Sequence, residues 1–267
     1  MSGSADRSSE FVFRLRGVTV RRDRQPILDG IDWTIKSGER WVVLGPNGAG
    51  KTTLVRILST YLVPSTGSVE VLGQRIGRTN VAELRPRIGY LSPALAHEIP
   101  EQLTPRQIID AAQAGAIFPW YVEASRMSRP RTDAALAQVG LAGVPERPFA
   151  TFSSGEQLRI QLARALVTEP DALLLDEPMA SLDVGGREAL VSTLAKVAAG
   201  PIGSVVLVVH RLEDIPVGIT HALLLRDRRV LMAGPVDHVL ADQPLSECFG
   251  TPLRVTSIGR RWSVSAG

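Results

Sequence analysis

The sequence predicts an α/β fold: a mostly parallel sheet forms the core, and an antiparallel β subdomain and a helical insertion are added to it. Three continuous apolar runs, at 41–44, 172–175 and 205–209, are typical of strands buried on both faces. Helical stretches separate them, as crossover connections between parallel strands require. Alternating apolar residues at 11–15 and 31–35 predict half-buried strands of an antiparallel sheet near the N-terminus.

Length and composition limit the class of protein. The 267 residues are 44% hydrophobic, enough to bury the core of one large α/β domain. Thirty basic and 27 acidic residues give a net charge of only +3, so no nucleic-acid partner is expected. The single cysteine, Cys248, excludes an intramolecular disulfide. The longest apolar runs are far shorter than the roughly 18–20 residues of a membrane span, which predicts a cytoplasmic chain.

The chain divides into a main domain and two flanking segments. The polar residues 1–10 predict a disordered tail. Seven prolines from Pro93 to Pro148 separate short helical pieces, which predicts a helical subdomain inserted into the core at about 94–150. A last strand pair is expected at 222–232, and residues 236–267 form a C-terminal extension.

A glycine-rich segment after the first buried strand predicts a phosphate site. Its residues match G-x-x-x-x-G-K-[ST] and are Gly45, Pro46, Asn47, Gly48, Ala49, Gly50, Lys51 and Thr52. The glycines let backbone N–H groups turn inward, and the helix continuing through Thr53 points its positive end at the phosphates. Lys51 would reach the β- and γ-phosphates of ATP, and the Thr52 hydroxyl would bind Mg²⁺. The motif predicts a P-loop NTPase (RecA-like) fold.

Two carboxylates end the second buried strand. Asp176 is a candidate Mg²⁺ ligand, and Glu177 is a candidate to polarise the attacking water. A strand ending in Asp-Glu is by itself usually the start of a solvated loop. Because a parallel sheet gathers its strand carboxyl ends at one edge, the phosphate loop makes the catalytic interpretation the better one.

A second glycine-containing helix start lies at Ser153–Glu156. Ser153 and Glu156 have the spacing of a capping box, which is a purely structural explanation. The backbone N–H groups at this helix start, which Gly155 leaves accessible, also form a second anion site. Such a site is useful if it closes over a nucleotide bound to a neighbouring subunit. Arg159 and Arg164, further along this helix, are expected to face solvent or to be paired.

These motifs, together with Ser181-Leu182-Asp183 and His210, resemble in order and spacing an ABC-type ATPase domain over about residues 11–235. The resemblance implies ATP hydrolysis with Mg²⁺ in a head-to-tail dimer, where Ser153, Gly155 and Glu156 of one copy face the phosphate loop of the other. It also implies that His210 is the switch histidine contacting the γ-phosphate. Asp183 would communicate across the dimer, although a helix N-cap is its simpler explanation.

Two positions depart from the pattern of the family that the chain resembles. The position that usually carries an adenine-stacking aromatic residue aligns with Arg22, which either stacks on the base through its guanidinium or is a solvated loop residue. The usual glutamine of the loop after Ile88–Leu91 is missing, since Pro93 stands in its place. Ser92 could supply a weaker oxygen ligand to the metal, or it could belong to an ordinary turn.

The resemblance leaves two functions open. The C-terminal segment 239–255 is similar to the tails of ATPases in metal-chelate, cobalamin and molybdate-type importers. This similarity favours the ATP-hydrolysing subunit of a transporter, peripheral at the inner face of the cell membrane and bound to separate transmembrane subunits. The missing glutamine favours instead a soluble ABC ATPase that serves cofactor assembly or regulation.

Overall fold

The structure is a computed structural model, and it describes residues 10–92, 95, 98–113, 128–259 and 261–267. The strands are β1 (Phe11–Arg22), β2 (Gln25–Lys36), β3 (Arg40–Leu44), β4 (Thr66–Val71), β5 (Gln74–Arg75), β6 (Ile88–Leu91), β7 (Ala172–Asp176), β8 (Ser204–Val208), β9 (His221–Arg226), β10 (Arg229–Pro235), β11 (Leu253–Ile258) and β12 (Arg261–Ala266). The helices are α1 (Lys51–Leu58), α2 (Val81–Leu84), α3 (Pro105–Gln113), α4 (Arg129–Gln138), α5 (Ser154–Leu166), α6 (Val184–Ala199), α7 (Val236–Val239) and α8 (Asp242–Phe249). The predicted tail 1–10 lies outside the described residues except for Glu10.

The core is a six-stranded sheet in the order β10-β9-β3-β8-β7-β6. Strands β9, β3, β8, β7 and β6 are parallel, and β10 pairs with β9 in the antiparallel sense. The three predicted apolar runs form β3, β7 and β8, whose residues are buried except for the partly buried Arg40. Burial of both faces accounts for their continuous apolar sequence.

Successive side chains of the central strands enter two different cores. Val42 of β3 packs in the cluster with α5 and α6, whereas Val43 packs in the cluster with α1 and the antiparallel sheet. That second sheet has the order β2-β1-β4-β5. The predicted mixed fold, with a parallel core and an antiparallel β subdomain, is therefore confirmed.

The predicted helical insertion contributes α3 and α4 from the described part of 94–150. Their side chains Ile108, Ile109 and Leu136 are buried in the same cluster as α5. The strand pair predicted at 222–232 is β9 and β10, joined by a turn at Asp227–Arg228 where both residues have positive φ.

The C-terminal extension begins where β10 ends and packs into the main core. Val239, Leu245 and the free Cys248 are almost completely buried there. Burial raises the pKa of the Cys248 thiol to about 11. The extension ends in the two-stranded antiparallel sheet of β11 and β12. None of the helices in the described part is long and apolar enough to cross a membrane.

Candidate functional site: a phosphate loop facing two strand-end carboxylates

The register of the central sheet gathers the candidate residues at one edge. Val208 of β8 pairs with both Val43 of β3 and Asp176 of β7. Because these strands are parallel, the phosphate loop, Glu177 and His210 all follow strand ends at this edge. The sheet therefore brings together three segments that lie far apart in the sequence.

The phosphate loop needs glycine at two places where other parts of the chain come close. Gly45 has φ +156°, and a Cβ there would lie 2.1 Å from the carbonyl oxygen of Leu225. Gly50 has φ +104°, and its Cβ would lie 2.6 Å from Leu28 Cδ2 and 2.8 Å from the carbonyl oxygen of Ile27. Both glycines are thus required by packing within the chain itself.

Lys51, the first residue of α1, lies under the loop and is 5% exposed. Its Nζ donates to the carbonyl oxygens of Gly45 at 2.9 Å and Pro46 at 3.2 Å. Burial lowers the pKa of the Lys51 ammonium group, and the carboxylates of Glu177 and Asp176 oppose that shift. Thr53, two residues further on, is half-buried in the first turn of the helix.

Thr52 and Asp176 place a hydroxyl oxygen and a carboxylate oxygen next to each other at the edge of the sheet. Thr52 Oγ1 donates to Asp176 Oδ1 at 3.4 Å, although the two residues are 124 positions apart in the sequence. Asp176 is 2% exposed, and burial raises the pKa of its carboxyl group to about 6. Hydroxyl and carboxylate oxygens are the protein ligands that Mg²⁺ takes together with substrate phosphates, so this pair fits the ion. When bound, Mg²⁺ would neutralise charge on the phosphates.

Glu177 and His210 are in direct contact. His210 Nε2 lies 2.8 Å from Glu177 Oε2, and both side chains are partly exposed. Glu177 has φ 51°, a left-handed backbone conformation that is uncommon for a side chain of this size. The strained turn aims the carboxylate across the edge of the sheet at the histidine. Both residues are candidates from the sequence, but nothing in the motif spacing indicates this contact.

The Ser153–Glu156 segment forms the capping box that its spacing predicts. The Glu156 N–H donates to Ser153 Oγ at 3.3 Å, and the Ser153 N–H donates to Glu156 Oε2 at 2.9 Å. Hydrogen bonds from Ser153 lower the pKa of the Glu156 carboxyl group. A Cβ on Gly155 would meet only one described atom within 4 Å, Leu182 Cδ2 at 3.9 Å. The described part of the chain therefore offers no internal packing reason for glycine at this position.

Asp183 is the N-cap of α6, in agreement with its simpler explanation. Its Oδ1 accepts from the N–H of Gly186 at 2.7 Å, and the residue is exposed. This contact leaves the predicted role across a dimer untested.

The two positions that depart from the resemblance have different surroundings. Arg22 is 82% exposed at the end of β1, and its ion pair with Asp23 is as long as 4.0 Å. Ser92 is 1% exposed, and its Oγ accepts from the N–H of Leu95 at 3.2 Å. Ser92 lines a cleft of about 590 Å³ together with Glu177. Pro93, where the glutamine is missing, lies outside the described residues.

The expectation that Arg164 is solvent-facing or paired is met only in part, because the residue is half-buried and the Glu98 carboxylate acts on its charge. Its Nε atom is buried and has no hydrogen-bond partner among the described residues, and burial lowers the pKa of the guanidinium. Arg164 lines a small cleft with Tyr61, Arg85 and Tyr90. Its neighbours come from other parts of the chain, so helix periodicity alone could not have revealed this burial. Arg159 behaves as expected, since its Nε donates to the Gly155 carbonyl at 3.3 Å.

Comparison with known proteins agrees with this geometry. Residues 28–180 match the family described as ABC transporter. The chain is 35% identical over 246 residues to the uncharacterized ABC transporter ATP-binding protein YlmA of Bacillus subtilis (strain 168), covering 91% of this chain and 93% of that protein. It is 37% identical to the hemin import ATP-binding protein HmuV of Roseobacter denitrificans (strain ATCC 33942 / OCh 114), covering 90% and 91%.

A solved structure shares the fold. CbiO1 from Clostridium perfringens, described as part of the ABC transporter complex cbiONQ, superposes with a TM-score of 0.73 at 24% identity, covering 90% of this chain and 94% of that one. The family match and the two relatives show that the similarity holds in the sequence as well as in the fold. The chain belongs to the ABC transporter family and is one of its ATP-binding, ATP-hydrolysing cassettes.

Proposed function

We propose that two copies of this cassette hydrolyse ATP head to tail and energise solute transport through separate membrane subunits. The observation that carries the proposal is the Glu177–His210 contact of 2.8 Å at the edge that also holds the phosphate loop. Glu177 polarises the attacking water, and His210 holds the γ-phosphate. Lys51 neutralises phosphate charge, while Thr52 and Asp176 would hold Mg²⁺.

The second copy is supported by the surroundings of Gly155. A glycine within a helix costs about 0.5–1 kcal/mol relative to alanine, and no described contact inside this chain requires one here. An approaching phosphate of a nucleotide bound to a partner copy would require it. Ser153 and Ser154 are exposed beside it, so the helix start is open to such a ligand. Glu156 belongs to this helix start through its capping box.

A membrane partner is supported by the cleft around Arg164. A buried guanidinium nitrogen without a hydrogen-bond partner is costly, and an acidic or carbonyl group from outside would offset that cost. Arg85 lies 4.6 Å from the ring centroid of Tyr61, which keeps the wall of the cleft basic and aromatic. We propose that a segment of the membrane subunit docks here, which would place the cassette at the inner face of the membrane.

The solute class follows from likeness alone. The relative from Roseobacter denitrificans is named for hemin import, and the tail of this chain resembles those of metal-chelate-type importers. We therefore propose import of a metal-chelate-type solute. The missing glutamine favours the alternative, a soluble cassette without a membrane partner.

Affinity purification from solubilised cells separates these alternatives. The tagged wild-type chain should recover a protein with several membrane spans, and Arg164→Gln should lose it while hydrolysing ATP at the wild-type rate when purified alone. Arg254→Gln, in an exposed position on β11, is the matched control and should retain the partner. Recovery of no membrane protein by the wild type would favour the soluble alternative.

A further inference from the structure

The hairpin of β11 and β12 lies against the Leu212–Asp214 turn, which follows His210. Val255 and Val264 are cross-strand partners in the hairpin and pack on the main core. The Asp242 carboxylate of α8 accepts from the Val255 N–H at 2.7 Å. The hairpin is therefore fixed to the core at its base as well as along one face.

Arg261, the first residue of β12, connects two segments of the site. Its Nη1 and Nη2 donate to the two carboxylate oxygens of Glu188 at 3.0 and 2.8 Å. Nη2 also donates to the backbone carbonyl of Glu213 at 3.2 Å. Glu188 lies in the second turn of α6, five residues after Asp183, and Glu213 lies three residues after His210. One guanidinium thus holds both segments together.

A second arginine makes a parallel connection inside the main domain. Arg187 Nη1 donates to Asp214 Oδ2 at 3.0 Å, and its Nε donates to the carbonyl of Leu182 at 3.1 Å. Asp214 is 5% exposed, so this pair is the more buried of the two. Two adjacent residues of α6 are therefore connected to two adjacent residues of the turn after His210. Arg187 binds Asp214 directly, and Glu188 is connected to Glu213 through Arg261 of the C-terminal hairpin.

We propose that Arg261 is a positioning residue for ATP hydrolysis: through Glu188 and the Glu213 carbonyl, it fixes the segment after His210 relative to the start of α6. The inference rests on the role proposed above for His210 and on the role across the dimer that the resemblance implies for Asp183. The C-terminal hairpin then holds in place two segments that contribute to catalysis, the turn after His210 and the start of α6.

The predicted effect is on rate. An ion pair as exposed as Arg261–Glu188, with side chains 39% and 57% exposed, contributes little to global stability. The 2.8 Å contact between His210 and Glu177 depends on where the turn lies, and misplacing a catalytic group by about 1 Å lowers rates by up to about 10²-fold. Arg261 has no described contact with the phosphate loop, so the KM for ATP should change little.

The test uses the purified wild-type protein and four variants. Arg261→Gln and Glu188→Gln each remove the pair, and the double variant removes both partners. Arg254→Gln is the matched control, because the side chain of this exposed arginine on the neighbouring strand makes no hydrogen bond or ion pair within the described part of the chain. For each protein, kcat, KM for ATP, the unfolding temperature and hydrogen–deuterium exchange of the 209–215 peptide are measured.

Each single variant should lower kcat by about three- to tenfold with KM within about twofold, and it should speed exchange in 209–215. The double variant should be no slower than either single one, since both break the same contact. A wild-type kcat, unchanged exchange, or additive losses would overturn the proposal. Loss of the proposed membrane partner would leave these measurements unaffected, and if His210→Ala keeps full activity, the exchange result alone decides whether Arg261 holds the turn.

Discussion

The two glycine-containing segments of the site differ in what their own chain requires of them. In the phosphate loop, a Cβ at Gly45 or Gly50 would lie less than 3 Å from atoms of the same chain. At Gly155 of α5, a Cβ would meet one side-chain atom at 3.9 Å, an ordinary contact, among the described residues. The first segment is shaped by intramolecular packing, and the second has room around it.

This difference indicates how the site is divided. A single chain holds the phosphate loop, the Thr52–Asp176 pair and the Glu177–His210 contact at one edge of the sheet. The capping box of the Ser153–Glu156 helix start is complete within the chain, yet no described contact within the chain requires glycine at position 155. Under the proposed function, the second segment serves the nucleotide of a partner copy.

The largest expected effect tests the half of the site that one chain completes. Glu177→Gln should lower the rate of ATP hydrolysis by about 10²–10⁴-fold while ATP still binds, because the amide cannot polarise the water as a carboxylate does. Steady-state phosphate release and equilibrium nucleotide binding check the two statements. Glu247→Gln, in an exposed position on α8, is the control; hydrolysis unchanged in Glu177→Gln would remove Glu177 from the mechanism.

Lys51→Ala should come next in size. Loss of a buried ammonium group from the phosphate site should weaken ATP binding by about 10–10²-fold, the range expected for a charge-assisted hydrogen bond. Titration with a fluorescent ATP analogue measures the dissociation constant. Lys196→Ala, in an exposed position on α6, should bind as the wild type does, and equal affinity in both variants would contradict the phosphate-loop assignment.

Asp176 predicts a pH dependence of stability without nucleotide. Its folded-state pKa of about 6 lies above the ordinary value of 3.8, so the folded chain favours the protonated acid. The stability that this proton provides is complete below pH 3.8 and is lost as the pH rises through about 6. At pH 7.5, Asp176→Asn should therefore be more stable than the wild type by roughly 3 kcal/mol at most.

Urea unfolding of both proteins at pH 4 and pH 7.5, without Mg²⁺ and ATP, measures this difference directly. The two proteins should differ little at pH 4. An equal gap at both pH values would show that the substitution acts through packing and not through the charge of Asp176.

The smallest expected effects sharpen the comparison between the two glycines. Gly50→Ala should destabilise the chain by about 1–3 kcal/mol, because the methyl group is forced against Leu28 and the Ile27 carbonyl. Gly155→Ala should stabilise it by about 0.5–1 kcal/mol, because alanine is the better helix former and has room. Denaturant unfolding measures both, and destabilisation by Gly155→Ala would show that the chain itself needs this glycine.

The parts of the site that depend on local motifs are predictable from the sequence. The phosphate loop, the Asp176-Glu177 strand end and the capping box each follow from residues close together in the chain. Features made by segments far apart in the sequence are not predictable in this way. The burial of Arg164 depends on residues such as Tyr61 and Arg85, and the tie from Arg261 to α6 spans 73 positions.

The fold follows the same rule: elements with a strong local sequence pattern are predictable, and those with a weak pattern are not. The buried strands β3, β7 and β8 were predictable because their apolar runs are continuous. The short strands β4 and β5 and the C-terminal hairpin were not identified, since their apolar residues are few. In β11 only Leu253 and Val255 are even partly buried, so its pattern gives a weak signal.

The most direct test of the divided site mixes two inactive variants. Lys51→Ala disables the phosphate loop, and Gly155→Asp places a negative charge where a partner's phosphate would lie, in a helix first turn that tolerates an acidic residue. If sites form between copies, an equimolar mixture should regain up to about a quarter of wild-type hydrolysis, since half of the pairs then hold one intact site. Activity no greater than the sum of the separate variants would contradict a site shared between two chains.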